Sequence, residues 1–112
     1  MYARVLRFRV DPKKIDEGIE VYEDGYVPEA KQQKGFMEAM LLGDRGTGIG
    51  MTLSIWESEA DAKATEQSGF LQNVIAKFAG FFVEPPTIEG YEIMVRDLVN
   101  VAELQSMLSK SR

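Results

Sequence analysis

The stretch from Gly50 to Asp61, Gly-Met-Thr-Leu-Ser-Ile-Trp-Glu-Ser-Glu-Ala-Asp, constrains the chain most. Met51, Leu53 and Ile55 alternate with Thr52, Ser54 and Trp56, and a period of two belongs to a strand with two unlike faces. The alternation stops at Glu57. Ser58 and Asp61 then stand at capping-box spacing: the serine oxygen can accept the Asp61 backbone N–H while the Asp61 side chain reaches back. A central strand therefore hands over to a helix with almost no loop. The only tryptophan, Trp56, sits at the handover and is the first place to look for function.

The rest of the chain supplies partners for this junction. Tyr2 to Val10 reads as a strand, with Tyr2, Arg4, Leu6, Phe8 and Val10 on one phase and Ala3, Val5, Arg7 and Arg9 on the other. Asp11-Pro12 ends it and opens a helix, Asp11 as N-cap and Pro12 in the first turn, where its missing N–H costs nothing. Ile15, Ile19, Tyr22 and Tyr26 follow helical spacing and form one apolar stripe. Pro28 should kink or restart that helix, with 29–34 as a final polar turn before Gly35. Phe36 to Leu42 is a second strand. The glycine-rich run 43–50 is a hairpin connection to the third strand. It is not a phosphate loop, because a strand follows it and not a helix N-terminus.

After Ser58, residues 59–67 are helical, Ser68-Gly69 interrupts, and Phe70, Val74 and Phe78 continue at steps of four. Pro85-Pro86 forces an extended connection. Tyr91 to Val95 reads as the fourth strand, and Asn100 with Glu103 caps a short terminal helix.

The order is strand, helix, strand, strand, helix, strand. It predicts a ferredoxin-like βαββαβ sandwich of the α+β class, with an antiparallel four-stranded sheet over 1–96 and a helical extension over 97–112. A chain of 112 residues is long enough for one core. Two helices cover only one face of such a sheet, yet both strand phases are substantially apolar. A sheet-on-sheet homodimer, a dimeric α+β barrel of eight strands, would bury the second face.

Composition narrows the chemistry. Eighteen acidic against thirteen basic residues, a net charge of −5, disfavour nucleic acid and anionic membranes as partners. No cysteine and no histidine occur, which removes disulfides, thiolate ligands, the usual general base and the usual haem ligand. The scattered carboxylates form no evident metal pair, so no metal is expected. The basic start has no apolar core of a signal peptide, and no run nears the roughly 20 apolar residues of a membrane span; the expected location is cytoplasmic.

A strand, a helix with a central proline, Gln33-Lys34-Gly35-Phe36, a third strand ending in Trp56-Glu57-Ser58-Glu59-Ala60-Asp61-Ala62, and Gln67-Ser68-Gly69-Phe70 on the following helix together resemble the antibiotic biosynthesis monooxygenase domain. The resemblance spans about Val5 to Val95. It implies a dimeric α+β barrel and, in one branch, cofactor-free oxidation of small phenolic or quinol-like aromatic compounds. The haem-degrading branch uses a histidine and a further tryptophan, and this chain has neither.

Three residues are the expected catalytic candidates. Trp56 could stack on an aromatic substrate and orient an oxygen through its indole N–H. Tyr22 could present a hydroxyl to a pocket. Arg4 shares a phase with Leu6 and Phe8 and could counter a developing phenolate. Tyr26, Phe8, Phe36, Met40, Thr52, Ser54 and Phe70 are the expected substrate-binding lining, suited to an uncharged or weakly acidic aromatic. The alternative function is a non-catalytic barrel that binds a small apolar ligand.

Overall fold

The computed structural model describes residues 1–110. Its sheet holds β1 (Tyr2–Arg9), β2 (Phe36–Gly43), β3 (Ile49–Trp56) and β4 (Thr87–Glu92) in the order β2-β3-β1-β4. Every pairing is antiparallel. The fold is α+β and ferredoxin-like.

Register decides which side chains share a face. Arg4 pairs with Ser54, Leu6 with Thr52 and Tyr2 with Trp56, so these six project to the same side of the sheet. That side carries the helices. Ala3, Val5 and Arg7 pair with Ile55, Leu53 and Met51 and project to the other side. The more apolar phase of β3 thus faces away from the helices. Where β2 meets β3, a bulge between Phe36 and Glu38 shifts the register, so that Phe36 opposes Trp56 while Met40 opposes Leu53.

The first helical segment is interrupted and restarts at Pro28 as expected, with a wider turn before the restart. A short 3-10 turn, Pro12–Lys14, leads into α1 (Ile15–Val21), then a π-helical turn over Tyr22–Tyr26, then α2 (Val27–Ala30). The Val27 N–H donates to the Tyr22 carbonyl, five residues back. Pro28 lacks an N–H and its ring would crowd the carbonyl four residues earlier. The wider turn just before it accommodates both, and both tyrosines end up buried in the core.

The second helical segment follows the sequence reading. Ser58 accepts the Asp61 N–H at 3.1 Å and starts α3 (Glu59–Gln67). The return bond from the Asp61 side chain is not made among the described residues; its carboxylate lies against the backbone at Gly35 instead. Gly69 has φ 87 and sits between α3 and α4 (Phe70–Phe78), a left-handed conformation that glycine adopts without cost.

The fourth strand lies some four residues earlier than its alternation suggests. β4 can pair only where β1 has residues, from Arg7↔Thr87 to Tyr2↔Glu92. The Ile93 N–H closes the ladder on the Met1 carbonyl at 3.0 Å, which leaves 94–95 without a partner strand. The chain then crosses the helix-free face, where Arg96 meets Glu38 on the far strand β2 at 3.0 Å. On this side Ala3, Val5 and Ile55 are buried. Asn100 and Glu103 exchange both bonds of a capping box and start α5 (Val101–Lys110), whose residues are all exposed. Residues 111–112 of the expected extension lie outside the described residues. Among the described residues no helix is long and apolar enough to cross a membrane.

Candidate functional site

Between the helices and the sheet lies a cavity of about 500 Å³. Arg4, Leu6 and Phe8 of β1 with Thr52 and Ser54 of β3 form its floor. Ile15 and Ile19 of α1, the two tyrosines of the π turn, and Leu71, Val74 and Phe78 of α4 form the walls, with Phe81 and Phe82 beyond them. Of the charged residues that line it, Lys14, Glu23, Asp44 and Arg45 are exposed at the rim, and Arg4 alone is buried. Apolar walls with a few inward polar groups are the usual makeup of a small-molecule site.

Arg4 is only 6% exposed. Its Nη1 donates to the Ala62 carbonyl at 2.9 Å and to Thr65 Oγ1 at 2.8 Å, and Thr65 in turn donates to Ala62 at 2.6 Å. The guanidinium carbon stands 5.1 Å from the centre of the Trp56 ring. Burial lowers the Arg4 pKa, opposed by the electrostatics of Tyr26, Glu66 and Tyr2. An arginine starts so high that it keeps its charge.

The Trp56 indole joins this cation to the floor of the cavity. Trp56 Nε1–H donates to Ser54 Oγ at 2.9 Å, and the Ser54 hydroxyl faces the Tyr26 phenol. Burial pushes the Tyr26 phenol up, while the Arg4 charge and the Ser54 hydroxyl pull it down less strongly. Tyr22, whose ring centre is 5.0 Å from that of Tyr26, is pushed up further by burial and by its neighbour. Its hydroxyl is fully buried and has no hydrogen-bond partner among the described residues. Both phenols are therefore neutral donors at ordinary pH, and neither can serve as a base. Among the described residues no three carboxylates converge as a metal site would require.

Arg4, Tyr22, Tyr26, Phe8, Thr52 and Ser54 line the cavity together. Four other expected site residues do not. Trp56 is completely buried behind Ser54, so its effect on a ligand passes through Ser54 and Arg4. Phe36 stacks edge-on against Trp56 at 5.6 Å, and Phe70 packs on Tyr26 at 6.5 Å, both within the core. Met40 points to the helix-free face, because the bulge after Phe36 fixes its phase. Of the walls, Ile15, Ile19, Val74 and Phe78 were marked by helical spacing, but Leu71 and, beyond it, Phe81 and Phe82 carried no signal beyond being apolar.

The family model for antibiotic biosynthesis monooxygenase matches residues 1–77. The chain belongs to that family. The antibiotic biosynthesis monooxygenase match contains every inward polar group of the cavity and ends within α4, before β4 and α5.

Solved structures agree with this fold. A Streptomyces coelicolor monooxygenase, crystallised in complex with nanaomycin D, is 19% identical with a TM-score of 0.68 over 88% of this chain and 92% of its own. A Nitrosomonas europaea protein of unknown function is 19% identical, with a TM-score of 0.67 over 88% and 94%. A Mycobacterium tuberculosis protein is 14% identical, with a TM-score of 0.66 over 85% and 96%. At these identities the likeness is one of fold. Among curated proteins, none matches the chain in sequence.

Proposed function

We propose that this protein is a cofactor-independent monooxygenase of small aromatic, phenolic or quinol-like compounds, acting as a homodimer. The observation that carries the reading is the Tyr22 hydroxyl, fully buried, without a partner, on the wall of an apolar cavity. A buried donor left unmade costs about 1–3 kcal/mol, and a ligand oxygen that accepts from it recovers that cost. Family membership and the Streptomyces coelicolor relative's ligand support an aromatic occupant.

In this reading Arg4 and the two phenols hold a substrate oxygen while charge develops on it. The electrons come from the substrate itself. An activated ring CH₂ and O₂ give a ring carbonyl and water: two C–H bonds break, one oxygen atom stays on carbon, and the other leaves with both hydrogens. The alternative, a barrel that binds its ligand without chemistry, is favoured by one observation: no residue inside the cavity can take a proton, since Tyr22 and Tyr26 are both held protonated.

Oxygen uptake with a panel of anthrones and hydroquinones separates the two. The oxygenase reading expects uptake above the autoxidation blank, reduced in Tyr22→Phe and Trp56→Phe. Uptake equal to the blank throughout leaves the binding barrel.

The dimer is proposed from the helix-free face. Met40 and Leu42 are exposed there beside their partly buried register partners Leu53 and Met51, an apolar patch of the kind that marks an interface.

A further inference from the structure

Arg4 is a buried cation without an ion-pair partner among the described residues. The five ion pairs among the described residues all involve other cations. Its Nη1 is taken by two neutral acceptors, the Ala62 carbonyl and Thr65 Oγ1, and no hydrogen bond among the described residues uses Nε or Nη2. Burying a charge is costly unless something compensates it, so arginines this deep are normally paired.

The groups around Arg4 do not supply the missing charge. The π turn presents Tyr26, β1 presents Tyr2, β3 presents Ser54 and the Trp56 ring, and α4 presents Leu71 and Val74, none of them anionic at neutral pH. From α3, Glu66 acts only at a distance, outside ion-pair reach. At the rim, Lys14 and Arg45 are balanced by Glu23 and Asp44. The interior of the cavity is left with one positive charge and hydroxyl groups, with no carboxylate or imidazole beside them.

We propose that the cavity holds its ligand as a monoanion, an aromatic compound whose phenolate, enolate or carboxylate oxygen lies against Arg4, in preference to the uncharged form of the same compound. The inference rests on the reading of this cavity as a ligand site. A carboxylate arrives already ionised. A phenol or enol loses its O–H proton to bulk water on binding, because no group in the cavity interior can accept it, and its oxygen keeps the electron pair. The selection is therefore for acidic aromatics, and Arg4 sets it.

Binding of para-nitrophenol across a pH series tests this, since its anion absorbs in the visible. The uncharged para-nitroanisole serves as its counterpart, and naphthoate is paired with naphthalenemethanol. The expected result is a bound nitrophenol that ionises at least about one pH unit lower than in water, and anions that bind about tenfold or more tighter than their uncharged counterparts. Arg4→Met should abolish that preference while the uncharged compounds still bind, and Arg4→Lys should keep part of it. Stronger binding of naphthoate than of nitrophenolate would identify a carboxylate as the anion, and the reverse a phenolate; either order supports the proposal. Equal affinity for charged and uncharged counterparts overturns it while leaving the cavity a ligand site. Binding of none of the four compounds overturns both. The wild-type comparison decides the matter even if Arg4→Met does not fold.

Discussion

The Arg4 guanidinium lies over the Trp56 ring, 5.1 Å from its centre, while the same indole donates to Ser54 at 2.9 Å. One completely buried side chain thus steadies both the cation and a hydroxyl of the cavity floor without touching the cavity. Trp56→Ala should cost about 3–5 kcal/mol through lost packing. Trp56→Phe should cost less, about 1–2 kcal/mol, for the Ser54 bond and part of the cation–π attraction. Urea denaturation of the two variants gives both values.

Tyr22 and Tyr26 should respond differently to loss of a hydroxyl. The Tyr22 group has no partner among the described residues, so Tyr22→Phe should leave stability unchanged or slightly raised at neutral pH, whereas Tyr26→Phe removes a hydroxyl that faces Ser54 and should cost up to about 1 kcal/mol. A ligand that accepts from Tyr22 should nevertheless bind more weakly to Tyr22→Phe. A large loss of thermal stability in Tyr22→Phe would mean that the hydroxyl has a structural partner after all.

The raised phenol pKa values fix the sign of the alkaline response. Both tyrosines ionise at higher pH in the folded chain than when unfolded. The stability they confer is complete below the unfolded tyrosine value of about 10 and falls as pH rises past it, with a slope approaching about 1.4 kcal/mol per pH unit for each group. Tyr22→Phe should remove one such contribution. Denaturant midpoints measured between neutral and strongly alkaline pH test the slope.

Substitution on the helix-free face should separate assembly from folding. Met51 and Leu53 project to that face and are only partly buried. Leu53→Arg or Met51→Arg should therefore leave a folded monomer with an intact circular dichroism spectrum, and sedimentation velocity should show the dimer lost. A wild-type chain that sediments as a monomer at micromolar concentration would contradict the proposed assembly.

Gly48 tests the rim. It is buried with φ 78, its carbonyl accepts the Val10 N–H at 2.9 Å, and a Cβ there would collide with the Val10 carbonyl. Gly48→Ala should destabilise by about 2 kcal/mol. Gly80→Ala, where a Cβ meets nothing, should change stability by less than about 0.5 kcal/mol.

Much of this protein was legible in local patterns. Alternation over 51–56, the Ser58 and Asn100 caps and the four-residue steps of α4 each depend on neighbours in sequence, and they placed the elements and the ferredoxin-like order. That Arg4, Tyr22 and Tyr26 face the space between helices and sheet is legible because a strand phase and a helical stripe reveal which side chains share a face. Tertiary structure decided what depends on distant partners. The end of β4 was set by where β1 begins, and not by the alternation of Tyr91, Ile93 and Val95. The bulge after Phe36 turned Met40 away from the cavity. Trp56 was sealed behind Ser54 because register placed Phe36 opposite it and Arg4 above it. The charge of Arg4 is written in the sequence, but its lack of a carboxylate partner is not, since pairing is settled by which side chains folding brings within a few ångströms.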